Sequence, residues 1–183
     1  MTTFNNKASI NMVFSSISRN LTADDQLIIV DDHSTDGTWD ILSEIFKKTY
    51  PFEFILIRNK KNQGLATSLN NAINYVTKTY IARHDADDLI IDGRFEHQIR
   101  LLKSNKKIDL LSSSKIALKD CDYIKVPSIG NNINIEMSKV SSYSLALRNL
   151  ITHPAVICKS KVLKENAYDS NYTKAQDYKL WLQ

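Results

Sequence analysis

The 183-residue sequence is poor in residues that interrupt or cross-link a chain, with four glycines, three prolines and two cysteines. Neither a G-x-G-x-x-G nor a Walker A pattern occurs, so the phosphates of a bound nucleotide would need a partner other than a glycine-rich loop. Cys121 and Cys158 lie in dissimilar surroundings, which favours free thiols in a reducing compartment over a disulfide. No apolar run approaches membrane-spanning length and no basic-then-apolar leader opens the chain, so we expect a cytoplasmic protein.

The composition is that of an ordinary globular protein. Hydrophobic residues make up 43% and charged residues 24% of the chain, and 183 residues fit one domain with a sizeable core. The net charge of +4 suits an anionic small molecule or an anionic membrane surface. It is too small and too scattered to indicate a nucleic-acid partner.

Short apolar runs alternate with amphipathic stretches through residue 118. The predicted strands are 26–32, 52–59, 79–85 and 108–118, and the predicted helices are 34–48, 64–76 and 93–105. This alternation favours right-handed crossovers and an α/β fold, a mostly parallel, doubly wound sheet with helices on both faces. Beyond residue 120 the alternation fades: residues 121–132 are typical of a hairpin or loop, and a last helix is predicted around 175–183.

Acidic and amide side chains follow three of the predicted strands. In an open α/β sheet, ligands bind outside the carboxyl ends of the strands. Because scattered surface acids would not fall repeatedly on one edge, we expect a binding site there. The residues concerned are Asp31, Asp32, Asn59, Asn62, Asp85, Asp87 and Asp88.

The stretch Asp85-Ala86-Asp87-Asp88 has two interpretations. Its carboxylates are the hard oxygen ligands that Mg²⁺ and Mn²⁺ prefer, and such ions are often completed by substrate phosphates. Alternatively, the stretch is a solvated acidic turn, which is common in proteins. Its position after a strand favours the cation site.

Two further acidic positions are also open to more than one interpretation. Asp31 and Asp32 can accept a hydrogen bond from a nucleobase, or they can belong to a turn rich in helix-capping residues. Asp177 lies near the start of the last predicted helix, where the helix dipole favours an acid without any catalytic role. The four histidines and two cysteines show no zinc-ligand spacing.

Taken together, these segments resemble family 2 glycosyltransferases, which are inverting, nucleotide-sugar-dependent enzymes of the GT-A fold. The matching stretches occur in the family's order and cover nearly the whole chain. They are "TTFNN", "IIVDDHSTDGT", "NKKNQGLATSLNNAI", "YIARHDADD", "THPAVICKSKVL" and "QDYKLWL".

The resemblance implies a role for several residues in donor binding. Thr2 and Phe4 match residues that line the nucleobase, with Phe4 as a stacking face, and Asp32 matches the acid that hydrogen-bonds the base. Asn62 falls in a matching stretch and is expected to contact the nucleotide-sugar.

Asp85, Asp87 and Asp88 match the "DxD" region, which binds the diphosphate through Mn²⁺ or Mg²⁺ and contacts the sugar; Asp87 or Asp88 is favoured as the direct ligand. Asp177 matches the catalytic base of the "ED" motif, with Gln176 where the family usually has glutamate.

The implied activity is transfer of a sugar, with inversion, from a UDP-sugar to a saccharide or glycolipid in surface-polysaccharide synthesis, in contact with the cytoplasmic membrane face. The family pattern also leads us to expect a fragment, residues 1–183 of one catalytic domain that lacks most of its first strand and a C-terminal region. Two rival interpretations are an inactive nucleotide-sugar-binding remnant and a nucleotidyltransferase. The second would need a basic, glycine-rich loop near its start, which the sequence lacks.

Overall fold

A computed structural model describes residues 1–114 and 138–183. Six strands lie in these two ranges: β1 Thr2–Thr3, β2 Gln26–Asp31, β3 Glu53–Arg58, β4 Tyr80–Ala82, β5 Leu110–Ser112 and β6 Val156–Lys159. The α-helices are α1 Ile10–Ser18, α2 Thr38–Phe46, α3 Leu65–Ile73, α4 Arg94–Ser104, α5 Ser142–Leu147, α6 Ser160–Glu165 and α7 Gln176–Trp181. A 3-10 turn, His153–Ala155, precedes β6.

The strands form two three-stranded groups that meet at one point. β1, β2 and β3 are parallel and lie in the order β1-β2-β3. In the second group β6 lies between β4 and β5 and is antiparallel to both. A parallel bridge between Thr2 and Asp85 joins β1 to the residues just after β4. The predicted mostly parallel α/β sheet is therefore confirmed, with β6 as a reversed strand.

Strand β2 is covered on both faces, as its unbroken apolar run predicts. Leu27 and Ile29 pack in one cluster with residues of α1 and α2. Ile28 and Val30 pack in another cluster with Ala72 of α3. Because successive side chains of a strand point to opposite faces, the two clusters lie on opposite sides of the sheet. The prediction of helices on both faces is confirmed.

Several predicted boundaries differ from the observed ones. The strand predicted over 79–85 is observed as Tyr80–Ala82, and Arg83 and His84, which follow it, remain buried. The strand predicted over 108–118 is observed as Leu110–Ser112, and residues 115–118 lie outside the described residues, as does the predicted hairpin or loop at 121–132. Helix α1 was not predicted, although Ile10, Val13 and Ile17 have helical spacing and are buried.

An apolar cavity of about 160 Å³ is lined by Met1 and by residues of β2, α3 and β4. Strand β1 pairs with β2 at Thr2 and Thr3, and the amino group of Met1 donates a 2.9 Å hydrogen bond to the carbonyl oxygen of Ile28. Burial, with a smaller contribution from the nearby Arg83 charge, lowers the pKa of this amino group from 8.0 to about 5.

The buried amino group predicts a pH-dependent stability in a protein that begins at Met1 with a free amine. Between pH 5 and 8 the unfolded chain binds a proton that the folded chain does not, so stability rises with pH across this window. The full difference is about 4 kcal/mol. Urea unfolding between pH 7 and 8 reports mainly on this group. His84 and His153, whose pKa values are both lowered to about 4, change stability chiefly below pH 7, because a histidine of the unfolded chain has a pKa near 6.5.

The matched control is the same protein acetylated at its amino terminus, which carries no titratable group there. We expect its stability to stay nearly constant from pH 7 to 8. An equal pH dependence in the acetylated and free proteins would contradict a buried amine at Met1.

Among the helices of the two described ranges, none has the length and apolarity needed to cross a bilayer.

Candidate active site at the carboxyl edge of the sheet

The carboxyl ends of β1, β2, β3 and β4 meet through direct backbone contacts. The Asp32 amide donates to the Thr3 carbonyl oxygen at 2.8 Å, and the Asn59 amide donates to the Asp31 carbonyl oxygen at 2.9 Å. The Thr2–Asp85 bridge adds the end of β4 to this edge. The acidic and amide residues predicted to converge from separate strands therefore lie along one edge.

Asp85, Asp87 and Asp88 form a compact group of carboxylates on the loop after β4. One oxygen from each can be chosen so that all three lie within 4.8 Å of one another. Three carboxylate oxygens at this spacing, one of them on the exposed Asp87, match what a divalent cation with several water ligands requires. These residues fit the predicted Mg²⁺ or Mn²⁺ site.

Two buried residues, Arg83 and His84, directly precede the acidic loop. Arg83 is 5% exposed, forms an ion pair with Asp85, and has an Nε atom with no hydrogen-bond partner in the described parts of the chain. The Nε2 atom of His84 lies 2.9 Å from the carbonyl oxygen of Asp88. Burial, and then the Arg94 charge, lowers the pKa of His84 to about 4, so this ring is neutral at pH 7. Arg83 therefore provides a fixed positive charge beside the carboxylates.

The two acids at the end of β2 have different surroundings. Asp31 is fully buried, lies 3.3 Å from Nε of Arg58, and accepts from the Ser34 amide. The same guanidinium donates to the Ser34 carbonyl oxygen at 2.9 Å and stacks on Trp39 at 5.1 Å. Asp31 is therefore a structural anchor for the turn into α2.

Asp32 organises the loop between β3 and α3. Its Oδ1 accepts from Nδ2 of Asn59 at 2.7 Å and from the Gln63 amide at 2.8 Å, and its Oδ2 accepts from the Gly64 amide at 2.8 Å. A carboxylate has about four acceptor positions, so one remains after these three bonds. Asn62, which is exposed, is carried by the loop that Asp32 fixes. Asn62 adjoins Gln63, whose amide is bound to Asp32.

The segment after β1 presents Phe4 to solvent. Asn5 has a positive φ of 54°, donates its amide to Oγ of Ser34, and accepts the Thr35 amide on its side chain at 2.9 Å. These bonds fix the backbone beside Phe4, whose ring is 46% exposed. Thr2, in contrast, is buried within β1. An exposed ring next to the end of β2 is suitably placed for stacking on a flat ligand.

Asp177 lies in the first turn of α7, as predicted. Its Oδ2 accepts a 2.9 Å hydrogen bond from Nδ2 of Asn149. Its charge also influences the buried pair of His153 and Tyr168, whose Nε2 and hydroxyl oxygen are 2.9 Å apart. Asp85 influences the same pair, so both carboxylates lie near this buried cluster.

The buried cluster is held neutral. Burial, followed by the Arg83 charge, lowers the pKa of His153 to about 4, while Asp177 and Asp85 act in the opposite direction. Burial raises the pKa of Tyr168 above its usual range. At neutral pH the pair therefore contributes a hydrogen bond and no charge.

Three residues near the site were not singled out from the sequence for a role there: Arg83, Asn149 and Tyr168. Arg83 stands within "YIARHDADD" and could have been found as the basic residue next to the acids. Asn149 and Tyr168 are separated from Asp177 by 28 and 9 positions along the chain, respectively, and no local pattern marks them.

The site and fold agree with the comparisons with known proteins. Residues 1–167 match the family model described as "Glycosyl transferase family 2". The chain belongs to this family of glycosyltransferases.

Curated relatives are similar over most of this chain. The "Uncharacterized glycosyltransferase MJ1057" of Methanocaldococcus jannaschii is 30% identical over 165 residues, which cover 85% of this chain and 52% of the relative. The "UDP-Glc:alpha-D-GlcNAc-diphosphoundecaprenol beta-1,3-glucosyltransferase WfaP" of Escherichia coli is 29% identical, with 86% of this chain and 57% of the relative covered. The chain thus spans about half the length of these relatives.

Solved structures establish the GT-A fold. The mannosyltransferase PcManGT from Pyrobaculum calidifontis, in complex with GDP-Man and Mn²⁺, superposes with a TM-score of 0.73 over 98% of this chain and 48% of that one, at 15% identity. S. aureus TarS 1-349, in complex with UDP, gives a TM-score of 0.70 over 98% of this chain and 52% of that one, at 18% identity.

Proposed function

We propose that this chain transfers a sugar, with inversion, from a UDP-sugar to a hydroxyl group of a saccharide or lipid-linked saccharide. The observation that carries the proposal is the group of three carboxylates at the edge where the strands end. An exposed aromatic ring, an acid-organised loop and a second carboxylate on α7 accompany it. Each part corresponds to one requirement of the reaction.

Donor binding is assigned to the edge formed by β1, β2 and β4. We assign the nucleobase to Phe4 by stacking and to Thr2, Asp32 and Asn62 by polar contacts. Asp85 faces the diphosphate and sugar. Asp87 and Asp88 would hold Mn²⁺ or Mg²⁺, which when bound neutralises the charge that grows on the leaving diphosphate.

The chemical step is assigned to Asp177. Its carboxylate accepts the proton of the acceptor hydroxyl group, whose oxygen attacks the anomeric carbon. The bond from that carbon to the diphosphate breaks, and its electron pair leaves with the nucleoside diphosphate. A single displacement of this kind inverts the anomeric centre.

The names of three relatives support a choice of donor and acceptor. WfaP and WfgD of Escherichia coli are named as transferases of glucose from UDP-Glc to a diphosphoundecaprenol-linked sugar, and another relative is named poly-beta-1,6-N-acetyl-D-glucosamine synthase. We propose a role in surface-polysaccharide or lipopolysaccharide-type synthesis, at the cytoplasmic face of the membrane. The net charge of +4 is compatible with a peripheral contact to an anionic lipid surface.

The proposal is tested by incubating the protein with Mn²⁺ and each of UDP-glucose, UDP-GlcNAc, GDP-mannose and a dTDP-sugar. We expect release of the nucleoside diphosphate from a UDP-sugar, abolished by EDTA, and an inverted anomeric configuration in the sugar product by NMR. Binding of UDP without release from any donor would instead support an inactive nucleotide-sugar-binding protein. Release that is unaffected by EDTA would contradict the metal assignment.

A further inference from the structure

Asn149 connects the segment after α5 to the first turn of α7. Its Nδ2 donates a 2.9 Å hydrogen bond to Oδ2 of Asp177. Within residues 1–114 and 138–183, no group hydrogen-bonds the other carboxylate oxygen, Oδ1, so the two oxygens have different surroundings. We propose that Asn149 is a positioning residue, which holds one oxygen of Asp177 so that the other can accept the acceptor's proton. This inference rests on the proposed role of Asp177.

The orientation of the Asn149 amide is determined by a second contact. Its Oδ1 accepts a 3.1 Å hydrogen bond from the Ile151 amide. An amide N–H can donate only to the oxygen of the Asn149 side chain, so the Nδ2 group must face Asp177. The contact with Asp177 is therefore donor to acceptor, a charge-assisted hydrogen bond.

A second link holds the two segments in register. The hydroxyl group of Tyr178 lies 2.6 Å from the carbonyl oxygen of Leu145 and 3.1 Å from that of Ala146. Tyr178 follows Asp177 directly in α7, and Leu145 and Ala146 belong to α5. With α7 tied to α5 at the neighbouring residue, Asn149 and Asp177 are kept within hydrogen-bonding distance.

The ionisable groups around Asp177 come from several elements. The charge of Asp177 raises the pKa values of His153 and Tyr168. Asp85, just after β4, also raises these pKa values, and the neighbouring Arg83 lowers them. Lys179 is the basic residue in the last turn of α7 itself. His153 and Tyr168 are neutral at pH 7, so neither ring stabilises the Asp177 carboxylate by charge. The Asn149 amide stabilises it by a direct hydrogen bond.

A carboxylate oxygen that is held in place acts in the step that removes the acceptor's proton and not in donor binding. Removing the Asn149 amide should therefore lower the rate of transfer about tenfold, because a misplaced base accepts the proton less readily. The affinity for UDP with Mn²⁺ should stay unchanged. Asn149→Asp keeps the side-chain size but replaces the donor by a like charge beside Asp177, so the loss of rate should be larger.

The test is sugar-transfer kinetics and UDP titration on the whole chain, for Asn149→Ala, for Asn149→Asp, and for Asn149→Ala combined with Asp177→Asn. The matched control is Asn166→Ala, which removes an exposed asparagine whose Nδ2 donates to the Val162 carbonyl oxygen of its own helix. We expect slower transfer in both Asn149 variants, no further loss when Asn149→Ala is added to Asp177→Asn, and an unchanged rate in the control.

An unchanged transfer rate in a folded Asn149→Ala protein, or the same fractional loss with and without the Asp177 carboxylate, would overturn the inference. If the unaltered protein transfers no sugar, or if Asp177→Asn transfers at the full rate, the proposed function of Asp177 fails, and the inference fails with it. The two failures are distinguished by the Asp177→Asn measurement.

Discussion

Asp177→Asn is expected to lower the rate of sugar transfer by about 10²- to 10⁴-fold, the range over which a general base contributes to a reaction. The amide cannot take the proton of the acceptor hydroxyl group. It keeps the size of the side chain, so α7 should remain folded. Because Asp177 is assigned no contact with the nucleotide, the affinity for UDP in the presence of Mn²⁺ should stay the same. The measurements are transfer kinetics and UDP titration on the same preparation.

Asp169→Asn is the matched control for this substitution. Asp169 also lies C-terminal to β6, and its Oδ1 accepts the Asn171 amide at 2.9 Å, away from the contacts made by Asp177. Transfer by Asp169→Asn should be close to that of the unaltered protein. Equal rates in Asp177→Asn and the unaltered protein would show that another group removes the proton.

Asp87→Asn is expected to reduce donor turnover by about 100-fold or more at low Mn²⁺ concentration. The substitution replaces a charged oxygen ligand by a neutral amide in a group whose ligand oxygens lie within 4.8 Å. Cation affinity should fall, and with it the stabilisation of the leaving diphosphate. Raising the Mn²⁺ concentration should restore part of the rate, which distinguishes a metal ligand from a residue needed only for folding.

Asp92→Asn is the control for the acidic loop. Asp92 lies near the cluster in sequence, but its Oδ1 accepts from Nδ2 of Asn20 at 2.9 Å and it is outside the group of three carboxylates. Its Mn²⁺ dependence should match that of the unaltered protein. If Asp87→Asn and Asp92→Asn behave alike at every Mn²⁺ concentration, Asp87 is not a ligand.

The central part of the fold is predictable because its strands have an unambiguous pattern. The predicted strands 26–32 and 52–59 are observed as Gln26–Asp31 and Glu53–Arg58. Both are continuous apolar runs that end at polar residues, and such runs are typical of strands covered by helices on two faces. The location of the acids at one edge follows from the parallel direction of these strands.

The direction of the strands in the second half of the sheet is harder to predict from the sequence. The run at Val156–Lys159 has the composition of a buried strand, but an apolar run carries no information on whether its neighbours are parallel. The connection from β5 to β6 includes residues 115–137, where the helical periodicity that would mark a crossover is absent from the sequence. The reversed pairing of β6 is therefore a property of the tertiary structure.

The two acids at the end of β2 show where sequence reasoning about the site stops. Asp31 and Asp32 are adjacent and chemically identical, yet Asp31 is buried against Arg58 and Asp32 accepts three N–H groups from the loop after β3. Successive side chains of a strand point to opposite faces, so neighbours enter different environments. Which partners each acid meets depends on residues about 30 positions away.

The most direct test of the account is calorimetric titration of UDP into the protein, with Mn²⁺ and with EDTA, repeated on the double variant Asp87→Asn/Asp88→Asn. We predict binding that is about tenfold or more tighter with Mn²⁺, because a cation held by these carboxylates would attract the diphosphate. The double variant should lose this gain. Equal affinity in Mn²⁺ and EDTA, no binding in either, or an undiminished gain in the double variant would contradict the assignment of this loop as the site that holds the cation and the donor.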